Sequence, residues 1–149
     1  MPSATFFLMP DEAEGEQNRL ICDKIAELYR KHKRLRVWAR NQQQAEALDE
    51  LLWQQPSDAF IPHNLLGEGP ATGAPVELCW PESGDIKSRP GYALFNLAED
   101  IPVQAQQSQK LYDIVPADDN GKKVARERYK HYRARGCQMH TEPLTSEQK

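Results

Sequence analysis

Arg34-Leu35-Arg36-Val37-Trp38-Ala39 alternates side-chain character and carries Val and Trp, the pattern of a half-buried strand. What lies on either side of it decides the fold. Upstream, residues 16–33 place Ile21, Ile25, Leu28 and Tyr29 at helical spacing. Acidic side chains (Asp11, Glu12, Glu14, Glu16) crowd the start of that helix and Lys31, Lys33 and Arg34 its end, each where the helix dipole favours that sign. Before it, the apolar run 5–9 stops at Pro10 and reads as a buried first strand. Downstream, Asn41 is placed to cap a second helix ending near Trp53, with Ala45, Leu48, Leu51 and Leu52 on its apolar stripe. Parallel strands need long crossovers, so a β-α-β-α opening predicts right-handed connections and a mainly parallel sheet.

The 149 residues suit one domain, and no repeat or interdomain linker breaks them. The stretch 54–75 is rich in Pro, Gly, Asn and Gln and reads as loop, with a further turn region over 82–91. Strands are predicted over 76–80, 92–96 and 111–115, and a short helix is one reading of 101–109. Asp118-Asp119-Asn120-Gly121 offers a cap for a last helix over 122–135, closed by Gly136. The expected architecture is a single three-layer α/β/α domain on a mainly parallel mixed sheet, over residues 1–140. Residues 141–149 are polar and are expected to fray.

Composition excludes several classes. No apolar run approaches the roughly 18 residues of a membrane span, and the N-terminus lacks the basic region of a signal peptide. Cys22, Cys79 and Cys137 show no metal-type spacing and fit reduced, buried thiols of a cytoplasmic protein. The net charge of −3 argues against a generally cationic surface, yet residues 122–135 hold seven basic side chains against the single acid Glu127. A mildly acidic chain thus carries one strongly basic helix.

Catalytic signals are weak. Gly67, Gly69 and Gly73 suggest a phosphate loop, but Pro70 and Pro75 interrupt it, no Gly-Lys-Ser/Thr is present, and a strand follows instead of a helix. His32, His63, His131 and His140 share no ligand spacing, so no metal and no cofactor is expected; His63 reads best as a buried or capping residue. The basic helix is the strongest feature. Lys122, Arg126, Tyr129, Lys130 and Arg133 share one face, while Ala125, Tyr129 and Tyr132 mark the face toward the sheet. A cationic stripe beside an aromatic wall suits an acidic ligand with an apolar part. Single-stranded DNA is the rival ligand, disfavoured by the acidity of the remaining chain. A second candidate patch joins Trp53, Phe60, Ile61 and Pro62, apolar groups of the kind found at interface centres.

These same residues carry a resemblance. Ala4-Thr5-Phe6-Phe7-Leu8, Leu48-Asp49-Glu50 with Leu52-Trp53, Phe60-Ile61-Pro62-His63-Asn64-Leu65, Gly67-Glu68-Gly69-Pro70, Gly73-Ala74-Pro75-Val76-Glu77 and Ala125-Arg126-Glu127-Arg128-Tyr129-Lys130 resemble the chi subunit of bacterial DNA polymerase III holoenzyme. The resemblance implies an α/β fold similar in outline to nucleotide-binding folds, without catalytic activity of its own. It implies two partners: the psi subunit of the clamp-loader complex, and the acidic C-terminal tail of single-stranded DNA-binding protein (SSB), which ends in Ile-Pro-Phe. On that reading Lys122, Arg126, Lys130 and Arg133 meet the tail's carboxylates, Val115, Pro116 and Tyr129 its terminal Phe, and Trp53, Phe60, Ile61 and Pro62 face psi.

Overall fold

Alternation along the strands builds two cores, one on each side of the sheet. The computed structural model describes residues 2–54, 61–65, 75–81, 91–102, 105 and 108–144. In β1 (Ser3–Leu8) Phe7 joins one apolar cluster while Ala4 and Phe6 join another. The pattern repeats in β2 (Leu35–Trp38), with Leu35 and Val37 on the first side and Trp38 on the second. It recurs in β4 (Val76–Cys79), β5 (Ala93–Asn96) and β6 (Lys110–Val115). Strands buried on both faces are what a parallel α/β sheet requires.

The first cluster is roofed by Ile21, Ile25 and Leu28 of α1 (Glu14–His32) and by Leu48 and Leu52 of α2 (Gln42–Trp53). The second is roofed by Tyr132 of α3 (Asp119–Ala134), with Tyr129 packed at its margin. The result is the expected three-layer α/β/α domain. Asn41 caps α2 as predicted, its side-chain oxygen accepting the Gln44 N–H at 2.9 Å. Burial pushes the Cys22 thiol up to about 12, with Asp23 adding to the rise, so it carries little thiolate at neutral pH.

With β3 (His63–Leu65) and β7 (Gln138–Pro143), the sheet has, among the described residues, seven strands in the order β3-β4-β2-β5-β6-β1-β7. Every pairing among the described residues is parallel, so the sheet goes beyond the mainly parallel expectation. Two expectations are corrected. His63–Leu65 is not loop but a short strand beside β4, in register from His63↔Val76. The segment from Thr141 to Leu144 does not fray: β7 runs along β1 from Ser3↔Gln138 to Leu8↔Pro143. Its polar sequence concealed it, because an edge strand is held by backbone pairing and needs little apolar burial. Leu144 then completes the attachment, 2% exposed in the first core, with its N–H donating to the Leu8 carbonyl at 2.9 Å.

Leu144→Ala should lower stability by about 2–4 kcal/mol, the range for truncating a buried leucine. Urea denaturation checks this, and a change below about 0.5 kcal/mol would show that β7 docks without its plug.

Candidate functional site

The basic helix begins and ends on signals legible in the sequence. Asp118 accepts the Gly121 N–H at 2.8 Å, closing the N-terminus. Gly121 sits where no side chain fits: a Cβ there would lie 2.5 Å from the Cβ of Pro116, so glycine lets the first turn press onto the end of β6. At the other end Gly136 turns the chain at φ +93°, and the Cys137 N–H returns to the Tyr132 carbonyl at 3.2 Å.

Between these ends α3 sorts its side chains. Ala125, Arg128 and Tyr132 are buried, whereas Lys122, Lys123, Arg126, Lys130 and Arg133 are exposed. The seven-to-one basic excess therefore includes one residue, Arg128, that is withdrawn from the surface. Its Nε donates to both Asp113 carboxylate oxygens, at 3.2 and 3.0 Å. Nη1 donates to the Glu99 carbonyl and Nη2 to the Ile114 carbonyl, each at 2.9 Å. Asp113 also accepts the Ile114 N–H at 2.7 Å, the Asn96 amide at 3.4 Å and the Tyr132 hydroxyl at 3.3 Å. Burial raises the Asp113 carboxyl above its ordinary value, and the Arg128 guanidinium opposes that rise. Burial, with Asp113 alongside, likewise raises the Tyr132 phenol. The sequence held a signal for this pair: an acid inside the apolar run 111–115 needs a partner, and Arg128 lies at helical spacing from Ala125 and Tyr132.

The exposed stripe adjoins an apolar wall on the same side of the sheet. Tyr129 is half-buried, its ring 5.4 Å from that of Phe6 at 56°. Val115 and Pro116 are half-buried at the end of β6, where Pro116 meets the first turn of α3. Leu8, 45% exposed and in register with Val115, extends the wall. Sequence reasoning missed Leu8 by assigning all of the first strand to the core. Lys130 is 3.3 Å from Glu127, both solvent-exposed, a pair too wet to hold the lysine firmly.

The second patch is only partly assembled. Trp53, at the end of α2, is 59% exposed and Pro62 is half-buried. Ile61 is corrected: it is 2% exposed and belongs to the core of the α1–α2 side, so it offers no surface to a partner. Phe60 lies outside the described residues. His63 is buried, as expected of it.

A cavity of about 320 Å³ opens at the carboxyl ends of β1 and β6. Their connections leave on opposite faces there, to α1 and α3, the usual ligand position of an open α/β sheet. Its lining includes Asp11, Glu14, Glu99 and Asp118 against Arg40 and an Arg128 already engaged by Asp113. A phosphate group there would face carboxylates. The glycine cluster 67–73 lies outside the described residues, and no group of His, Cys, Asp and Glu among those described is arranged to hold a metal. No helix among the described residues is long and apolar enough to cross a membrane.

The family model described as DNA polymerase III chi subunit, HolC, matches residues 1–140. The DNA polymerase III subunit chi of Escherichia coli (strain K12) is 38% identical over 145 residues, covering 95% of this chain and 97% of that one. The subunit of the same name from Haemophilus influenzae is 32% identical over 140 residues, 94% of this chain and 96% of its own. Among solved structures, the crystal structure of T4 UvsW aligns with a TM-score of 0.58 at 13% identity, over 96% of this chain and 41% of that one. That likeness concerns the fold.

The buried pair makes a pH-dependent prediction. Because the Asp113 value is raised on folding, its contribution is fully present below the unfolded carboxylate pKa of about 3.9 and is lost as pH rises through the folded value. Arg128→Met removes the opposing cation, so the variant should lose about 3–5 kcal/mol near neutral pH and less near pH 5. Urea denaturation at both values checks it; a penalty independent of pH would mean that Arg128 does not act through the carboxylate.

Proposed function

The chain belongs to the DNA polymerase III chi subunit family, and on that premise we propose that it is a non-catalytic replication adaptor working in the cytoplasm. It holds the acidic C-terminal tail of SSB along α3 and the psi subunit at the Trp53 patch, linking the holoenzyme to SSB-coated template without contacting DNA itself. One observation carries the tail reading: Lys122, Arg126, Lys130 and Arg133 stand exposed on α3 beside the half-buried Val115, Pro116 and Tyr129. A peptide with acidic residues and a terminal Phe has both chemistries that this surface offers. Arg126 suits a bidentate grip on the terminal carboxylate, because a planar guanidinium matches a carboxylate better than an ammonium does. The helix N-terminus adds Asp118 and Asp119, which a polyanion would also have to approach. The surface therefore favours a short acidic peptide over a nucleic-acid strand. At the psi patch the surface residues supported are Trp53 and Pro62, with Phe60 retained from the sequence alone and Ile61 withdrawn.

Arg126→Ala should weaken binding of a tail peptide by about 1.5–3 kcal/mol, the range for one charge-assisted hydrogen-bonded contact. Its unfolding transition should stay in place, since Arg126 is exposed. Fluorescence titration measures the first and thermal unfolding the second; unchanged affinity rejects the site. Affinity should also fall with added salt. A peptide lacking its terminal Phe should bind poorly even at low salt, whereas an oligonucleotide binding as tightly as the peptide would favour direct DNA binding.

A further inference from the structure

Two large apolar side chains stand exposed among the described residues, Trp53 and Leu8. Leu8 ends β1 and is open although strands pair with β1 on both sides. Strand alternation sets its direction. Ala4 and Phe6 enter the cluster beneath α3 and Phe7 enters the other, so Leu8 faces the α3 side. Its backbone is fixed from both neighbours: the Met9 N–H donates to the Val115 carbonyl and the Leu144 N–H to the Leu8 carbonyl, each at 2.9 Å. An open leucine on so fixed a backbone leaves a ligand little backbone freedom to remove.

Parallel register carries the same face onto β7. Leu8 pairs with Val115 on one side and with Pro143 on the other, and Pro143 is exposed. Met139, in register with Ala4, packs against the cluster beneath α3. His140 and Glu142 face the other way, lining a cavity with Ser3, Thr5 and Phe7 on the α1 side. The α3 side of β7 therefore presents Met139, Thr141 and Pro143, with no carboxylate to repel an acidic chain. Val115, Leu8 and Pro143 make an apolar row across three neighbouring strands, about 10 Å from end to end at roughly 4.8 Å per strand.

We propose that Leu8 and Pro143 form a second apolar subsite, which takes the side chain two residues before the terminal Phe of the tail. The proposal deepens the tail reading and rests on it for the ligand. With that Phe over Val115, Pro116 and Tyr129, an extended peptide returns a side chain to the same side two residues earlier, about 7 Å away. Measured from Val115 across the strands, that point falls between Leu8 and Pro143. In Ile-Pro-Phe the residue is Ile, and the Pro after it disfavours any conformation of that Ile other than an extended one. The cations of α3 attract acidic tails in general; the row selects one with two apolar side chains at this spacing. Leu8 is thus a specificity-determining residue.

The experiment is a double-mutant cycle read by fluorescence titration on the full chain. Leu8→Ala is titrated with a tail peptide ending in Ile-Pro-Phe and with the same peptide carrying Ala in place of Ile. Each single change should weaken binding about three- to tenfold, as loss of a partly exposed apolar contact does, and the two together should weaken it little more than either alone. Leu8→Thr, which keeps a good strand former at the position, should behave as Leu8→Ala does and separates lost contact from lost fold. Unchanged affinity in both variants would overturn the subsite. So would losses that multiply, because then Leu8 and the Ile do not touch. Failure of the unmodified chain to bind the intact peptide would instead reject the tail reading, and the subsite with it.

Discussion

A guanidinium held under a helix organises the second face of this protein. Arg128 reaches from α3 to Asp113 on β6 and to the carbonyls of Glu99 and Ile114, at the carboxyl ends of two neighbouring strands. Burying both charges is expensive, and replacing the pair by apolar groups would be no less stable in general. What the pair supplies is position. An apolar α3 could slide or roll on the sheet, because dispersion contacts have little direction. Four directed hydrogen bonds from one side chain fix its rotation, and with it which cations face outward. The exposure of Lys122, Arg126, Lys130 and Arg133 is the other side of that constraint.

The sheet also separates the two surfaces. The stripe belongs to α3, over the cluster of Phe6, Leu94 and Tyr132, whereas Trp53 closes α2, over the cluster of Val37, Leu48 and Phe95. The two candidate partners therefore approach opposite layers, and neither has to displace the other. The proposed adaptor role would call on both surfaces at once, and they lie on opposite layers.

Much of this was legible in the residues, for physical reasons that differ by element. The helices were found because their apolar spacing, caps and end charges agree: Asn41 and Asp118 cap as read, and Gly136 ends α3. The central strands were found because double-sided burial leaves short apolar runs. β7 and β3 escaped because they sit at the two ends of the sheet order, where backbone pairing suffices and composition carries no strand signal. At the site, the exposed cations were read correctly from helical phase, but Arg128 was counted with them because a sum of charges ignores direction. Ile61 was misplaced for the reverse reason. Its neighbours look like loop, and only the pairing of β3 with β4 shows that the segment returns to the core.

The position of β1 has a consequence for synthesis. The first strand of the chain lies between β6 and β7, the last two to be made. At about 5–20 residues per second, β1 waits on the order of ten seconds before either neighbour exists. Through that interval β1 has neither of its sheet neighbours, and Phe6 and Phe7 lack the pairing that holds them in the cores. The sheet can then close late and nearly all at once, as the C-terminal strand emerges. A ribosome-bound fragment ending before residue 110 would thus expose its N-terminal aromatics, the kind of surface that chaperones hold.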